Sequence, residues 1–219
     1  MPGPGVRWHG AQRAVLGGDL RGHVELETLS SVPYLYALGP LEELRGEVSI
    51  FASELSIARI ERDGVTTSES WSGRACFLVW AQVPAWSERA PVVVPAGLDD
   101  IEREVVAIAR ATGLDPERPL PFRVRATAVD ATFHVLDKRD GLPHNPERHE
   151  QAKVRRTLQH APIELVGFYS RRHRGIFTPG ESNVHIHLRT EDGRISGHLE
   201  AVRLAPGAQI AVPAAGWIQ

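Results

Sequence analysis

The chain of 219 residues has little of several features, and each shortage narrows the class of protein it can be. It contains one cysteine, so neither an intrachain disulfide nor a cluster of thiolate zinc ligands is possible. The formal net charge is −2, which gives no electrostatic reason to expect nucleic acid or an anionic membrane as a partner. No stretch approaches the roughly 18 apolar residues of a membrane helix, and the segment Met1 to Gly5 does not lead into an apolar run. We therefore expect a cytoplasmic enzyme or binding protein.

The single cysteine, Cys76, lies in the apolar run from Ala75 to Trp80. No basic residue flanks it closely enough to suggest an activated thiolate. We therefore interpret Cys76 as a small buried hydrophobic residue and not as a nucleophile.

Segments with strand character dominate the chain. Residues 45–51 alternate between polar side chains, including Glu47, and apolar ones. Residues 75–83 are nearly all apolar, which is typical of a strand buried on both faces. Two further extended stretches cover residues 122–135 and 163–169.

Two segments predict helices. The first begins near Asp99 with carboxylates suited to capping, carries an apolar stripe and ends at Gly113. The second, roughly residues 146–159, is polar and basic, and Val154 and Leu158 are its only strong apolar positions. We expect this second helix to lie on the surface.

The combined pattern predicts an α+β fold of mixed or antiparallel sheets with a few flanking helices. Residues 86–97 are rich in proline and predict a loop, as do residues 139–145. A domain boundary, if the chain has one, is expected near residues 115–121. It would separate an N-terminal mixed-sheet part, residues 1–118, from an antiparallel C-terminal part, residues 119–219, although one continuous domain is the alternative.

A histidine-rich hairpin is the most informative feature. Residues 184–199 alternate on both sides of Asp192-Gly193, a strong signal for a two-residue turn. In that register His187 lies opposite His198, with Cβ atoms about 5 Å apart, and His185 points to the same face. The other face is apolar throughout, so a slip of one residue would expose it. Three converging histidines suit a catalytic zinc with an open coordination position, whereas the plainer alternative is a solvated strand face.

Two neighbours of these histidines allow more than one interpretation. Glu200 lies opposite His185 in the same register, where it could ligate the metal, orient a histidine or be solvated. Gly197, beside the facing pair, would let either backbone or substrate come close. We expect Zn²⁺ as the metal, with another divalent transition metal as the alternative.

These motifs resemble the α-acetolactate decarboxylase family. The resemblance rests first on His185-Ile186-His187, followed by His198 within Ser196-Gly197-His198. Gly46-Glu47 falls where the family has a Gly-Glu pair with an active-site glutamate, and Asp137-Lys138-Arg139 falls where it has a motif ending in an active-site arginine. Two segments before the hairpin match as well, at residues 166–170 and 175–180.

The resemblance implies an acetolactate-decarboxylase-like fold, a homodimer and a zinc-dependent carboxy-lyase. Its substrate would be 2-acetolactate or a related 2-hydroxy-3-oxo acid, whose oxygens zinc would chelate while stabilising the enediolate left by carbon dioxide. Arg139 would pair with a carboxylate or oxyanion, and Glu47 would handle the proton. From the residues alone, a solvated carboxylate at Glu47 and a surface arginine at Arg139 stay open.

The chain departs from the family's pattern near its end. The family has a second active-site glutamate in a tail well beyond the last histidine, whereas this chain has no acidic residue from position 201 onward. The resemblance therefore points to a divergent member in which Glu200, which we count as a third catalytic candidate, or a partner subunit would replace that glutamate. Two other functions use the same histidines: a non-catalytic metal-binding PPC-like domain, and a zinc hydrolase with Glu47 as base.

Overall fold

The computed structural model describes residues 5–62, 64–87 and 97–218. Of the loop predicted for residues 86–97, residues 88–96 lie outside the part of the chain that the structure describes. Within the described residues, no helix is both long enough and apolar enough to span a membrane.

An antiparallel sheet of six strands forms the N-terminal half. The elements of this half are β1 (Arg7–His9), α1 (Gln12–Leu16), β2 (Val24–Glu25), β3 (Leu35–Pro40), β4 (Glu47–Phe51), β5 (Glu54–Glu61), β6 (Gly64–Ser68), β7 (Arg74–Ala75) and β8 (Leu78–Gln82). The sheet has the order β1-β8-β3-β4-β5-β6, and β2 pairs separately with β7. All five residues of the inner strand β4 are buried, including the polar Glu47 and Ser49. The apolar run predicted as one strand over 75–83 is divided at Cys76 and Phe77.

A second antiparallel sheet forms the C-terminal half and closes on itself. Its strands are β9 (Leu120–Leu136), β10 (Lys153–Tyr169), β11 (Val184–Thr190), β12 (Ser196–Leu204) and β13 (Gln209–Ala211). The order is β10-β11-β12-β9-β13, and β10 also pairs along its length with β9. Because β9 meets both β10 and β12, these four strands enclose a small barrel-like core.

The first predicted helix is confirmed as α2 (Leu98–Ala111). The carboxylate of Asp100 accepts a hydrogen bond of 2.8 Å from the backbone N–H of Gly97, which caps the start of the helix. Ile101, Val105 and Ile108 are buried in the same apolar cluster as the barrel strands. The amphipathic stripe therefore docks this helix onto the C-terminal sheet.

The second predicted helix is wrong beyond its first turns. Helix α3 spans only Pro146–Gln151, and from Lys153 onward the chain is strand β10, paired with β9. The helix does begin at the predicted position, Pro146, where the side chain of Asn145 caps it. Val154 and Leu158 misled the prediction because a spacing of four residues places two side chains on one face of a helix and also on one face of a strand.

The two halves pack together where the histidine hairpin lies. Ala58 and Ile60 of β5 belong to the largest apolar cluster, which otherwise consists of residues from α2 onward in the chain. Strand β12 contacts both β4 and β5. The architecture is the α+β fold with mostly antiparallel sheets that the sequence predicted. The division into residues 1–118 and 119–219 stays a prediction.

Candidate metal centre

The hairpin formed by β11 and β12 has the predicted register. His187 lies opposite His198, Leu188 opposite Gly197 and Arg189 opposite Ser196. The turn lies one residue earlier in the chain than predicted. The N–H of Gly193 donates to the carbonyl of Thr190 at 2.9 Å, so the hydrogen-bonded turn spans residues 190–193.

His185, His187 and His198 form a triad whose candidate ligand atoms all lie within 4.8 Å of one another. Two hydrogen bonds orient the rings. Nδ1 of His185 donates to the carbonyl of Phe177 at 2.8 Å, and Nδ1 of His187 lies 2.9 Å from Oγ of Ser49. Nε2 of His185 approaches Nδ1 of His198 to 3.0 Å, so these two rings aim nitrogens at the same space. The triad can therefore hold a metal ion.

Burial keeps the triad in the state that binds metals. It lowers the pKa of His185 to about 4 and the pKa values of His187 and His198 well below the usual range for histidine. The three imidazoles are consequently neutral at neutral pH. Nε2 of His187 is buried without a hydrogen-bond partner in the described part of the chain, which leaves its lone pair free for a ligand.

Glu47 faces the triad from the other sheet, as the resemblance implied. One carboxylate oxygen lies 3.8 Å from Nε2 of His187, and the other lies 3.8 Å from Nε2 of His134. The side chain is only 2% exposed, and burial raises the pKa of Glu47 well above its ordinary value. The interpretation of Glu47 as a solvated strand carboxylate is wrong.

Glu200 lies beside the triad, but not opposite His185 as predicted. A register shift between Leu199 and Ala201 marks a β-bulge that turns Glu200 towards β9. Its carboxylate lies 2.9 Å from Nδ1 of His134 and accepts hydrogen bonds from Arg155. These contacts, the one with His134 foremost, lower the pKa of Glu200 to about 2.

His134 is a site residue that the sequence analysis missed. It is 3% exposed and stacks on His198 with ring centroids 4.5 Å apart. Its position in β9 was predicted as extended, and alternation would have placed it on the face opposite Phe133 and Val135. His134 pairs with His198 across two strands that are remote in sequence, so no local sequence pattern could predict that His134 reaches the site.

Arg139 is not brought to the triad. Its guanidinium donates to the carbonyl of Ile60 at 2.6 Å and pairs with Asp137 at 2.7 Å, and its side chain is 54% exposed. In the structure Arg139 ties the end of β9 to β5, and a catalytic role for it stays a prediction.

A cavity of about 100 Å³ opens beside the triad. Its wall includes His185, His198, Glu47 and His134, together with Lys153 and Gln12. It can hold several waters or a small organic molecule, since one water needs roughly 10–15 Å³ of such space. The cavity therefore brings two members of the triad, His185 and His198, and the buried carboxyl group of Glu47 to one wall.

No protein-family model matches the sequence, and no curated protein matches it either. Solved structures do match. The α-acetolactate decarboxylase of Bacillus subtilis strain 168 aligns with a TM-score of 0.77 and 16% identity, over 94% of this chain and 85% of that chain. The acetolactate decarboxylase of Bacillus subtilis subspecies spizizenii gives 0.78 and 15%, over 95% and 85%. A Staphylococcus aureus protein of unknown function, described as similar to α-acetolactate decarboxylase, gives 0.77 and 13%, over 94% and 85%. The chain therefore has the fold of the α-acetolactate decarboxylases, as the resemblance implied.

Proposed function

We propose that this protein is a metal-dependent carboxy-lyase, a divergent relative of the α-acetolactate decarboxylases. Its substrate would be 2-acetolactate or a related 2-hydroxy-3-oxo acid, and its metal Zn²⁺ held by His185, His187 and His198. The observation that carries the proposal is the approach of Glu47 to His187, where a carboxylate oxygen lies 3.8 Å from Nε2 of His187. That nitrogen, and the other carboxylate oxygen of Glu47, Oε1, are buried without a hydrogen-bond partner among the described residues. A solved decarboxylase structure with the same fold supports the choice of reaction.

The donor set fits zinc. Three neutral imidazoles are the ligands of many catalytic zinc sites, which leave a further position open. When bound there, the ion would supply Lewis-acid polarisation of the substrate's hydroxyl and carbonyl oxygens.

The protein's own residues would manage the proton. Burial raises the pKa of Glu47 well above its ordinary value, which favours the protonated carboxyl group and lets it hold a proton inside the cavity. Loss of carbon dioxide breaks the bond between the carboxylate carbon and C2 and leaves the electron pair on C2. Glu47 would deliver its proton to that carbon from Oε1, which has no other hydrogen-bond partner in the described residues. The burial of Ser49, His187 and Glu47 excludes bulk water from this step.

The direct experiment is turnover of racemic 2-acetolactate by chelator-stripped protein before and after loading with zinc. We expect acetoin and carbon dioxide only from the loaded protein. Glu47→Gln should retain the metal but react about 100-fold more slowly or worse, because the proton donor is lost. Glu61→Gln, which alters an exposed carboxylate in the same sheet, is the matched control.

One result would redirect the proposal. A zinc-loaded protein that makes no acetoin, yet cleaves an activated ester in a manner abolished by His187→Ala, would be a hydrolase. The non-catalytic alternative is disfavoured by the buried Glu47, since a structural zinc does not require a buried carboxyl group beside it.

A further inference from the structure

Strand pairing places Lys153 on the same face of the C-terminal sheet as His134, which stacks on His198 of the triad. Lys153 lies opposite Leu136, and Arg155 lies opposite His134, in the ladder between β9 and β10. Because alternate residues of a strand share a face, Lys153, Leu136 and His134 point together. All three line the cavity beside His198.

Lys153 is the one lysine or arginine among the described residues that line this cavity. The neighbouring His149 contributes no positive charge at neutral pH, because burial lowers its pKa to about 4. Lys153 is half-buried, and its charge acts on Glu47, His134 and His198. The positive charge available to a bound ligand, apart from a metal, therefore comes from this ammonium group.

The acidic partners of Lys153 have another counter-charge. Nζ of Lys153 lies 2.8 Å from Glu150 and 3.7 Å from Glu200. Arg155 contacts both of these carboxylates as well, at 2.7 Å for Glu200. Since Glu150 is half exposed, its pair with Lys153 is weak and easily exchanged. Lys153 can turn to a ligand without leaving either carboxylate unpaired.

Gln12, at the start of α1, supplies a second polar group on the cavity wall. Its side-chain oxygen is buried and has no hydrogen-bond partner in the described part of the chain. A buried amide without a partner is costly unless a ligand or water satisfies it. The amide suits a hydroxyl group next to an anion on Lys153.

We propose that Lys153, and not Arg139, binds the carboxylate of the ligand, and that Gln12 hydrogen-bonds its neighbouring hydroxyl. The ligand class is a small 2-hydroxy carboxylate. The inference rests on the proposed function for the choice of substrate class, but it concerns binding and not turnover. It also accounts for the surface position of Arg139, whose guanidinium is engaged by Ile60 and Asp137.

Calorimetric titration of the zinc-loaded protein with 2-hydroxy-2-methylpropanoate and with its neutral amide is compared between wild type and variants of Lys153, which hold the same metal. Wild-type protein should bind the acid at least tenfold more tightly than the amide, since the acid gains one charge-assisted hydrogen bond to Lys153 besides any contact with the metal. Lys153→Met should weaken binding of the acid about tenfold and leave the amide unchanged. Lys153→Arg should recover part of the loss, and Gln12→Ala should weaken both ligands. Arg203→Met, which alters an exposed barrel arginine paired with Asp130, is the control.

Equal binding of the acid by wild type and Lys153→Met would overturn the proposal, as would a greater loss in Arg139→Met. Circular dichroism checks that each variant is folded, and Lys153→Gln replaces Lys153→Met if the latter is not. If wild-type protein binds the acid through Lys153 but makes no acetoin, the proposed anion site stands and only the proposed decarboxylase activity is overturned. Acetoin production with no effect of Lys153→Met on binding removes only the anion site.

Discussion

The imidazole of His134 stacks on that of His198, with ring centroids 4.5 Å apart and an interplanar angle of 24°. Nδ1 of His134 lies 2.9 Å from Glu200, whose carboxylate accepts two hydrogen bonds from Arg155, at 2.7 and 3.1 Å. A chain of contacts thus links the exposed Arg155 to a candidate metal ligand. The orientation of His198 depends on residues that lie outside the triad.

Removal of Glu200 should therefore weaken the metal site from a distance. In Glu200→Ala the ring of His134 loses the partner that fixes it, and zinc affinity should fall about tenfold, the lower end for such supporting residues. Competition with a chromophoric chelator measures the affinity. Asp130→Ala, which breaks an exposed ion pair between β9 and β12, is the control and should change nothing. Unaltered affinity in Glu200→Ala would show that packing alone holds His198.

The part of the site that the sequence predicted is the part built from local signals. The Asp192-Gly193 turn and the alternation on both sides of it determine which hairpin residues face each other, and His187 and His198 do face each other. The presence of Glu47 in the site was expected from a family resemblance, because alternation within β4 did not say which face met a cavity.

The remainder depends on pairing between distant segments. His134 and Lys153 reach the site through β9 and β10, which pair over their whole length. The segment containing Lys153 had been predicted as helix, so the direction of its side chain could not be inferred. A β-bulge displaces Glu200 from its predicted position opposite His185, and no residue type in the hairpin predicts that bulge.

Of the two neighbours that the sequence allowed for Gly197, the structure places backbone close to it, together with the side chain of Phe133. A Cβ atom at this position would lie 2.6 Å from the ring of Phe133 and 2.8 Å from the carbonyl of His134. Gly197→Ala should therefore destabilise the fold by about 1–3 kcal/mol, as overpacking does. Urea denaturation measures the loss. Gly64→Ala is the control, since a Cβ there meets no atom of the described residues within 4 Å. Equal midpoints for the two variants would mean that Phe133 moves aside at no cost.

Cys76 should be inert in the folded protein. Its side chain is 1% exposed and its thiol donates to the carbonyls of Leu20 and Leu41, at 3.3 and 3.2 Å. Burial raises the pKa of the Cys76 thiol to about 12, so the reactive thiolate is scarce at pH 8. We expect no reaction with a disulfide reagent in native buffer and one thiol per chain in denaturant. Rapid native labelling would show that the loop carrying Cys76 opens readily.

The metal-free protein should lose stability as the pH falls from about 6.5 to about 4. Burial lowers the pKa of His185 and of His149 to about 4, so in this range the unfolded chain takes up protons at these positions and the folded chain does not. His134, His187 and His198 are shifted in the same direction. Glu47 acts in the opposite sense, because its raised pKa costs stability as the pH rises above its ordinary value. Five histidines outweigh one carboxyl group, so urea midpoints measured between pH 7.5 and 4.5 should fall with pH, and more steeply in Glu47→Gln. Midpoints that stay level across this range would mean that the histidines are not buried in the metal-free state.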